Sequence, residues 1–445
     1  MKPKTSSSIK QGNLLFPDLM GQLNPKHPLL ALAQKLPWAL FEQEFSHCYA
    51  SVGRPAKPIR LMVGLLLLKQ LENLSDERVV AVWVQNPYHQ AFCGMANFQW
   101  ELPCDPTDLV YFRKRIGEAG MEKILQASVE LHGEASLERE VVIDTTVQEK
   151  NITFPTDTKL RVKVMSRCWK LADEENITLR RSYRRELKKT LRVIRFSKKR
   201  DDKKKLPAAI RRVKTMANAL LRDVMRKLPE NKLAARREEL ENYHRAVNQG
   251  RFDKNKIYSL HEPDVLCISK GKEHKKYEFG AKAAIAMTKT GCIIVGAKSF
   301  SRNVYDGDTL NELLSQVRAI RGNAPETSFC DRGFRGRKHV DGTAIVLPEA
   351  PTPNASKYAK RKARKNFGRR SAIEPVIGHL KHGFRLGRNY LKGIIGDAIN
   401  LLLAAAAFNF KKWLRAFAQG QFFALLFLGR VVCLQKFRTM PCRHL

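Results

Sequence analysis

Acidic side chains are scarce in this chain of 445 residues: 43 Asp and Glu stand against 81 Lys and Arg, for a formal charge of +38 and a pI near 10.1. Such a surface attracts polyanions over long range, which makes nucleic acid the leading partner and an anionic membrane a distant second. Cysteine is present as nine scattered residues, at 48, 93, 104, 168, 267, 292, 330, 433 and 442. They form no C-x-x-C pair and no Cys/His spacing suited to zinc, so reduced thiols and a cytosolic location are expected. The opening Met-Lys-Pro-Lys leads into no apolar stretch of the kind a signal peptide has. Ala398 to Phe408 and Phe422 to Leu428 are very apolar, yet each falls short of the ~20 residues that span a bilayer. Both read as core helices or partner surfaces, and no membrane partner is expected. Hydrophobic residues make up 43% of the chain, enough for a real core and two or three domains.

Residues 1–55 read as an irregular segment, with prolines at 3, 17, 25, 28 and 37 and one short helix around Leu29 to Leu36. A helical block follows over 56–135. One helix covers Pro58 to Leu74; Ser75 caps a second that runs to Val84, with Asp76 and Glu77 in its first turn. Asp105 and Pro106 open a third, and Asp108 is placed to complete its cap. Three short helices ending in Arg113-Lys114-Arg115 fit a helix-turn-helix DNA reader. They fit a small helical domain with a solvated basic end equally well.

From Glu140 the pattern turns to strands. Val141 to Val147 is the first; Tyr277 to Met287 and Cys292 to Lys298 form two more, joined by the turn Thr288-Lys289-Thr290-Gly291. A helix over Asp308 to Arg321, a short strand ending at Asp331, a strand over Ala344 to Leu347 and helices from Ser371 complete the series. This is the element order of an α/β, ribonuclease-H-like domain, in which the first and fourth strands are neighbours. The expected core runs over 136–415, and a tail without assignable pattern over 416–445. Between the first two strands, Lys159 to Lys256 carries 32 basic against 12 acidic residues. Leu187, Leu191 and Ile194, with Leu220, Leu221 and Leu228, have helical spacing. The segment reads as an inserted basic helical arm that contacts a DNA backbone.

Three acids are set where such a fold could gather them. Asp144 ends Val141-Val142-Ile143, Asp331 ends Thr327-Ser328-Phe329-Cys330, and Glu374 opens an apolar-striped helix. Carboxylates are hard oxygen donors suited to magnesium, and two such ions about 3.5–4 Å apart can serve the attacking and leaving oxygens of a phosphodiester. Each Asp is also an ordinary strand terminator. Ser371-Ala372-Ile373-Glu374 is equally a capping box, followed by a proline tolerable only in a first turn. Glu374 and Lys381 share a helix face beside the stripe of Ile373, Val376, Ile377 and Leu380. Arg370 joins that face only if the helix continues through Pro375. Asp306 and Asp308 read as a turn and a helix cap, and His379 and His382 as surface or packing residues. Arg332 either meets phosphate or pairs with an acidic neighbour.

Phe367-x2-Arg370-x3-Glu374-x6-Lys381 resembles the Tyr-Arg-Glu-Lys signature of bacterial insertion-sequence transposases with a DDE triad, in particular the "IS five" group of the "IS four" superfamily. Asp144-Thr145-Thr146-Val147-Gln148, Pro155-Thr156-Asp157, Lys270-Gly271-Lys272, Tyr277-Glu278-Phe279-Gly280, Tyr305-Asp306-Gly307-Asp308-Thr309, Asp331-Arg332-Gly333-Phe334 and Gly387-Arg388-Asn389-Tyr390-Leu391-Lys392-Gly393 look like the same group. The resemblance covers roughly residues 55 to 415.

The resemblance implies a transposase that binds the inverted repeats of its element, cuts there with Mg2+, or Mn2+ in its place, and joins the ends to target DNA. It makes Asp144, Asp331 and Glu374 the catalytic metal ligands and brings Arg370, Lys381 and Phe367 to the DNA near the cut. The family tyrosine is Phe367 here, so its hydroxyl is lost. The implied partners are double-stranded DNA and a second copy of the chain, in the bacterial cytoplasm at the nucleoid. A relative that binds repeats without cutting them, and an RNA-binding protein, are the competing readings.

Overall fold

The first helices start where a side chain can take up a free amide. The computed structural model describes residues 17–49, 55–196, 205–250, 252–269, 276–348 and 355–438. Three helices, α1 (Leu19–Gln22), α2 (Pro28–Lys35) and α3 (Trp38–Ser46), occupy a stretch expected to hold one. Its prolines permit this because Pro28 sits at a helix start, where no amide hydrogen is needed. The helix α4 (Ile59–Leu71) is buried at every residue except Arg60, as suits a segment that is apolar all round. Ser75 Oγ accepts from Arg78 N at 3.1 Å to start α5 (Asp76–Gln85), and Asn86 caps α6 (Pro87–Phe92). The expected capping box of Asp105 and Asp108 opens α7 (Pro106–Glu130). A kink at Gly117, with φ of 60°, divides that helix.

The strand β1 (Glu140–Glu149) leads into five helices, α8 (Asp157–Glu174), α9 (Arg184–Phe196), α10 (Lys205–Lys227), α11 (Glu230–Ala235) and α12 (Arg237–Asn248). Then come β2 (Leu266–Ser269), β3 (Tyr277–Thr288), β4 (Ile294–Phe300), α13 (Leu310–Arg321), β5 (Thr327–Phe329), β6 (His339–Val340) and β7 (Thr343–Val346). The chain continues through α14 (Lys357–Arg370), α15 (Ile373–Gly383) and α16 (Gly393–Arg438). The result is a mixed α/β fold around one mixed sheet of order β2-β3-β1-β5-β7-β6, with β4 also on β3. β1 is antiparallel to β3 and parallel to β5, and β5 is parallel to β7. The first strand and the strand before Asp331 are therefore neighbours, as the element order implies.

Three expectations about the C-terminal part need correction. α14 forms where no helix is expected, because its basic, weakly apolar sequence carries no core-facing stripe. The capping box at Ser371 does not form: Ser371 and Ala372 both keep helical backbone angles, and no side chain caps α15. Pro375 falls in the first turn of α15, where a missing amide hydrogen costs little. The stretch after Ala416, expected to lack pattern, continues the backbone of α16 to Arg438.

α16 is long and apolar enough to cross a membrane over Gly393–Gly420, but 78% of its most apolar stretch is buried. It packs on α7, β4 and α4, so its apolarity is satisfied inside the fold. Asn409, fully buried on it, accepts from Ile294 N at 2.9 Å and donates to Ile294 O at 2.8 Å, so it pairs with a strand residue where no strand lies. One continuous apolar core joins the N-terminal helices to both sheet faces, from Leu29 through Val142 and Phe329 to Phe410.

α8–α12 have a core of their own, built on Val164, Cys168, Val213, Met216, Leu220 and Tyr243. The expectation of amphipathic helices in this stretch holds, with Leu187 and Leu220 buried as their spacing implies. The two ends of the insertion are clasped. Asp157 lies 3.1 Å from Lys256 Nζ and accepts from Gln249 Nε2 at 3.0 Å; Gln249 also pairs with the backbone of Ile257.

Candidate functional site

Hydrophobic strands β1 and β5 hold their ends rigidly and deliver two aspartates to one edge of the sheet. Val142 faces Phe329 in the parallel register, and Asp144 and Asp331 each lie two residues beyond that pair. Alternation along each strand puts both on the face carrying Val142 and Phe329. Asp144 is half-buried and accepts from Thr145 N at 2.7 Å. Asp331 caps a single 3-10 turn over Arg332–Phe334 and accepts from Gly333 N at 2.8 Å.

Cys330, directly before Asp331, has a fully buried thiol. Burial pushes it up to about 12, the Ser328 hydroxyl lowers it, the charges of Asp331 and Asp144 raise it, and that of Arg370 lowers it.

Arg370 ends α14, and its Nη1 is buried without a hydrogen-bond partner among the described residues. Its Nη2 lies 3.8 Å from Glu374 Oε1, so the two share a face, as the four-residue spacing allows. The Glu374 side chain is 66% exposed. Among the described residues no three His, Cys, Asp or Glu side chains converge on one point. The expected gathering of three acids is therefore incomplete here, with Glu374 exposed and 3.8 Å from Arg370.

Phe367 packs edge-on against Phe329, with ring centroids 6.2 Å apart. Lys289 Nζ covers the same Phe329 ring at 3.8 Å. Lys381, two turns beyond Glu374, is 4.0 Å from Glu278 Oε1 on β3. His379 and His382 are exposed, as surface residues would be.

The basic triplet of α7 separates by role. Lys114 and Arg115 are exposed, and the Arg115 guanidinium lies 4.5 Å over the Tyr49 ring. Arg113, expected to face DNA, is buried instead. It makes a bidentate pair with Asp76 at 2.8 and 2.7 Å, and Lys69 completes a triad at 2.8 Å. The reason is its place on the inner face of α7 beside Phe112, where an unpaired guanidinium could not remain.

Two arrangements lie beyond what sequence reasoning finds. Lys282 and Asp306 form an ion pair at 2.5 Å beneath the aspartate edge; Asp306 reads as an ordinary turn residue, and a lysine within a buried strand is the available signal. Lys150, 4% exposed, joins Glu262 and Asp397 at 3.1 and 3.0 Å and donates to the carbonyls of Leu391 and Gly393. Burial holds the Asp397 carboxyl above its usual range, opposed by Lys150. The Gly387–Gly393 motif thus serves as a clamp on the end of β1, with Asn389 N donating to Glu149 O at 2.7 Å. Lys270-Gly271-Lys272 lies outside the described residues.

Residues 17–115 match the family described as transposase domain (DUF772), and residues 260–410 match the family described as transposase DDE domain. β1, with Asp144, and the basic helices fall between the two matched segments. A Rhizobium meliloti protein described as uncharacterized protein ORF8 in nfe locus is 47% identical over 196 residues, which is 42% of this chain and 93% of that protein. No solved structure matches the chain. With transposase models matching residues 17–115 and 260–410 of one chain, the chain belongs to the insertion-sequence transposases of the DDE type.

Proposed function

We propose that the protein binds the ends of its insertion sequence, cleaves them in a metal-dependent reaction and transfers the strands to target DNA, as in the "IS five" group. The observation that carries this reading is the pair Asp144 and Asp331 two residues beyond one register pair of parallel strands, with a buried Arg370 Nη1, unpartnered among the described residues, four residues before Glu374. The sheet order, with β3 antiparallel to its neighbours and β1, β5 and β7 parallel to one another, supports a ribonuclease-H-like core. The capped helices over 56–135 support an end-recognising part, and the α8–α12 insertion with its exposed basic faces supports a grip on the DNA backbone.

The donor set fits magnesium or manganese: all three side chains offer hard carboxylate oxygens, two of them on neighbouring rigid strands. Asp144 and Asp331 would hold the ion, joined by Glu374. When bound, such an ion supplies charge stabilisation on the scissile phosphate and a more acidic attacking water or hydroxyl. Arg370 supplies the buried donor that a phosphate oxygen would satisfy, and Lys381 further positive charge along the same helix. Phe367 keeps the Arg370 end of α14 seated on Phe329. Pairing of two element ends calls for at least two copies of the chain.

The test is incubation of the purified protein with Mg2+ and DNA carrying the element's own ends. Cut products with free 3′ hydroxyls are expected. Binding without any cutting would reduce the protein to a repeat-binding relative.

A further inference from the structure

A third carboxylate ties the two strand-end aspartates together from below. Asp306 precedes α13, in a 3-10 turn over Asp306–Thr309. Its Oδ1 accepts from Thr145 Oγ1 at 2.9 Å and lies 2.5 Å from Lys282 Nζ. Thr145 follows Asp144 directly and projects from the opposite face of β1, so this bond fixes the strand beside Asp144 without touching its side chain.

The other oxygen faces the Asp331 turn. A Cβ on Gly333 would meet Asp306 Oδ2 and Asp331 Oδ1 at 2.8 Å each, so the two carboxylates close on that glycine and leave no room for a side chain. The two turns are stitched further along: Tyr305 Oη donates to Arg335 O at 3.3 Å, and Arg337 to Asp308 at 2.9 Å. Lys282, nearly buried and also donating to Val304 O at 2.5 Å, compensates the charge of Asp306. Without that compensation two carboxylates this close would repel each other.

We propose that Asp306 is a positioning residue for the cleavage reaction: clamped by Thr145 and Lys282, it sets the spacing between the Asp144 strand and the Asp331 turn. The inference rests on the proposed function in taking those two aspartates as the ion-holding pair. Its Oδ1 is already shared by a hydroxyl and an ammonium, which suits it to hold the two turns rather than the ion.

The test uses the full chain and Mn2+ alone as probe, with two readouts. Asp306→Asn keeps the side chain's shape and one acceptor oxygen but removes the charge that holds Lys282. It should weaken Mn2+ binding, read by electron paramagnetic resonance, by about tenfold, the low end for a residue behind a metal ligand. Hydrogen exchange of amides 331–335 without metal should speed up in the same variant, while Glu312→Gln, at an exposed position of α13, changes neither. Thr145→Val, which removes one bond and no charge, should move both readouts in the same direction and guards against a misfolded Asp306 variant. If the wild type binds Mn2+ and Asp306→Asn binds it equally well, the proposal is overturned. If the wild type binds none, the metal reading of the aspartates fails, and unchanged exchange at 331–335 then overturns the role of Asp306 separately.

Discussion

Val142 and Phe329 are partners across two parallel strands, and the chain places an aspartate two residues beyond each of them. Because parallel strands run the same way, both acids emerge at one end of the sheet. That placement gives the first prediction. Asp144→Ala, Asp331→Ala or Glu374→Ala should abolish cleavage of end-bearing DNA in Mg2+ and leave binding largely intact, since metal ligands contribute mainly to chemistry. A gel assay of both activities decides it, and full cleavage by any one variant removes that residue from the site.

The exposed residues Arg185, Lys188, Lys189 and Arg192 of α9 carry part of the insertion's charge. Replacing them with glutamine should weaken binding to all DNA sequences alike. The slope of log K against log salt should flatten by about 0.9 for each phosphate that is no longer neutralised. Titrations at several salt concentrations measure it; an unchanged slope would show that α9 does not touch the backbone.

Arg113 should prove structural. Arg113→Ala removes two charge-assisted hydrogen bonds to Asp76 and leaves it with Lys69 alone in a buried setting, a loss on the order of 1–3 kcal/mol. Denaturant unfolding should report that loss. If stability holds and only DNA affinity drops, the buried triad does not do what its geometry implies.

Lys69 in the same triad gives a pH dependence. Burial, helped by the charge of Arg113 and opposed by Asp76, lowers its ammonium from 10.5 to about 8. Below about pH 8 the group is charged in both the folded and unfolded chain, and the cost of burying that charge is present. Between there and 10.5 the folded chain has released a proton that the unfolded chain still holds, so stability rises with pH. Relative to Lys69→Met, the wild type should gain on the order of 1–3 kcal/mol across that window. Unfolding curves at pH 7.5 and 10 on both proteins check it, and a constant difference refutes the shift.

Much of this fold is legible in the sequence because its signals are local. Ser75, Asn86 and the Asp105–Asp108 pair reveal helix starts through amide chemistry, and β1 and β4 announce themselves by β-branched apolar residues, β3 by an Ala-rich apolar run before a turn. The neighbouring of β1 and β5 follows from element order. What stays hidden depends on tertiary position. Arg113 reads as a surface cation until α7 turns it toward Asp76, and Asp306 reads as a turn residue until Lys282 and Thr145 arrive from distant strands. α14 lacks the apolar stripe that periodicity detects, so it is fixed instead by packing such as that of Phe367 on Phe329.

The clasp of Asp157 by Lys256 and Gln249 has a consequence for how such a chain can change over generations. A module that leaves and rejoins the scaffold through one tied doorway, with its own oily centre, can be lengthened, swapped or discarded while β1 and β3 stay paired. Substituting a short linker for residues 158–255 should accordingly yield a soluble protein with the same strand content by circular dichroism, stripped of much of its hold on nucleic acid; a collapse of that strand signal would mean the cassette is instead woven into the sheet's stability.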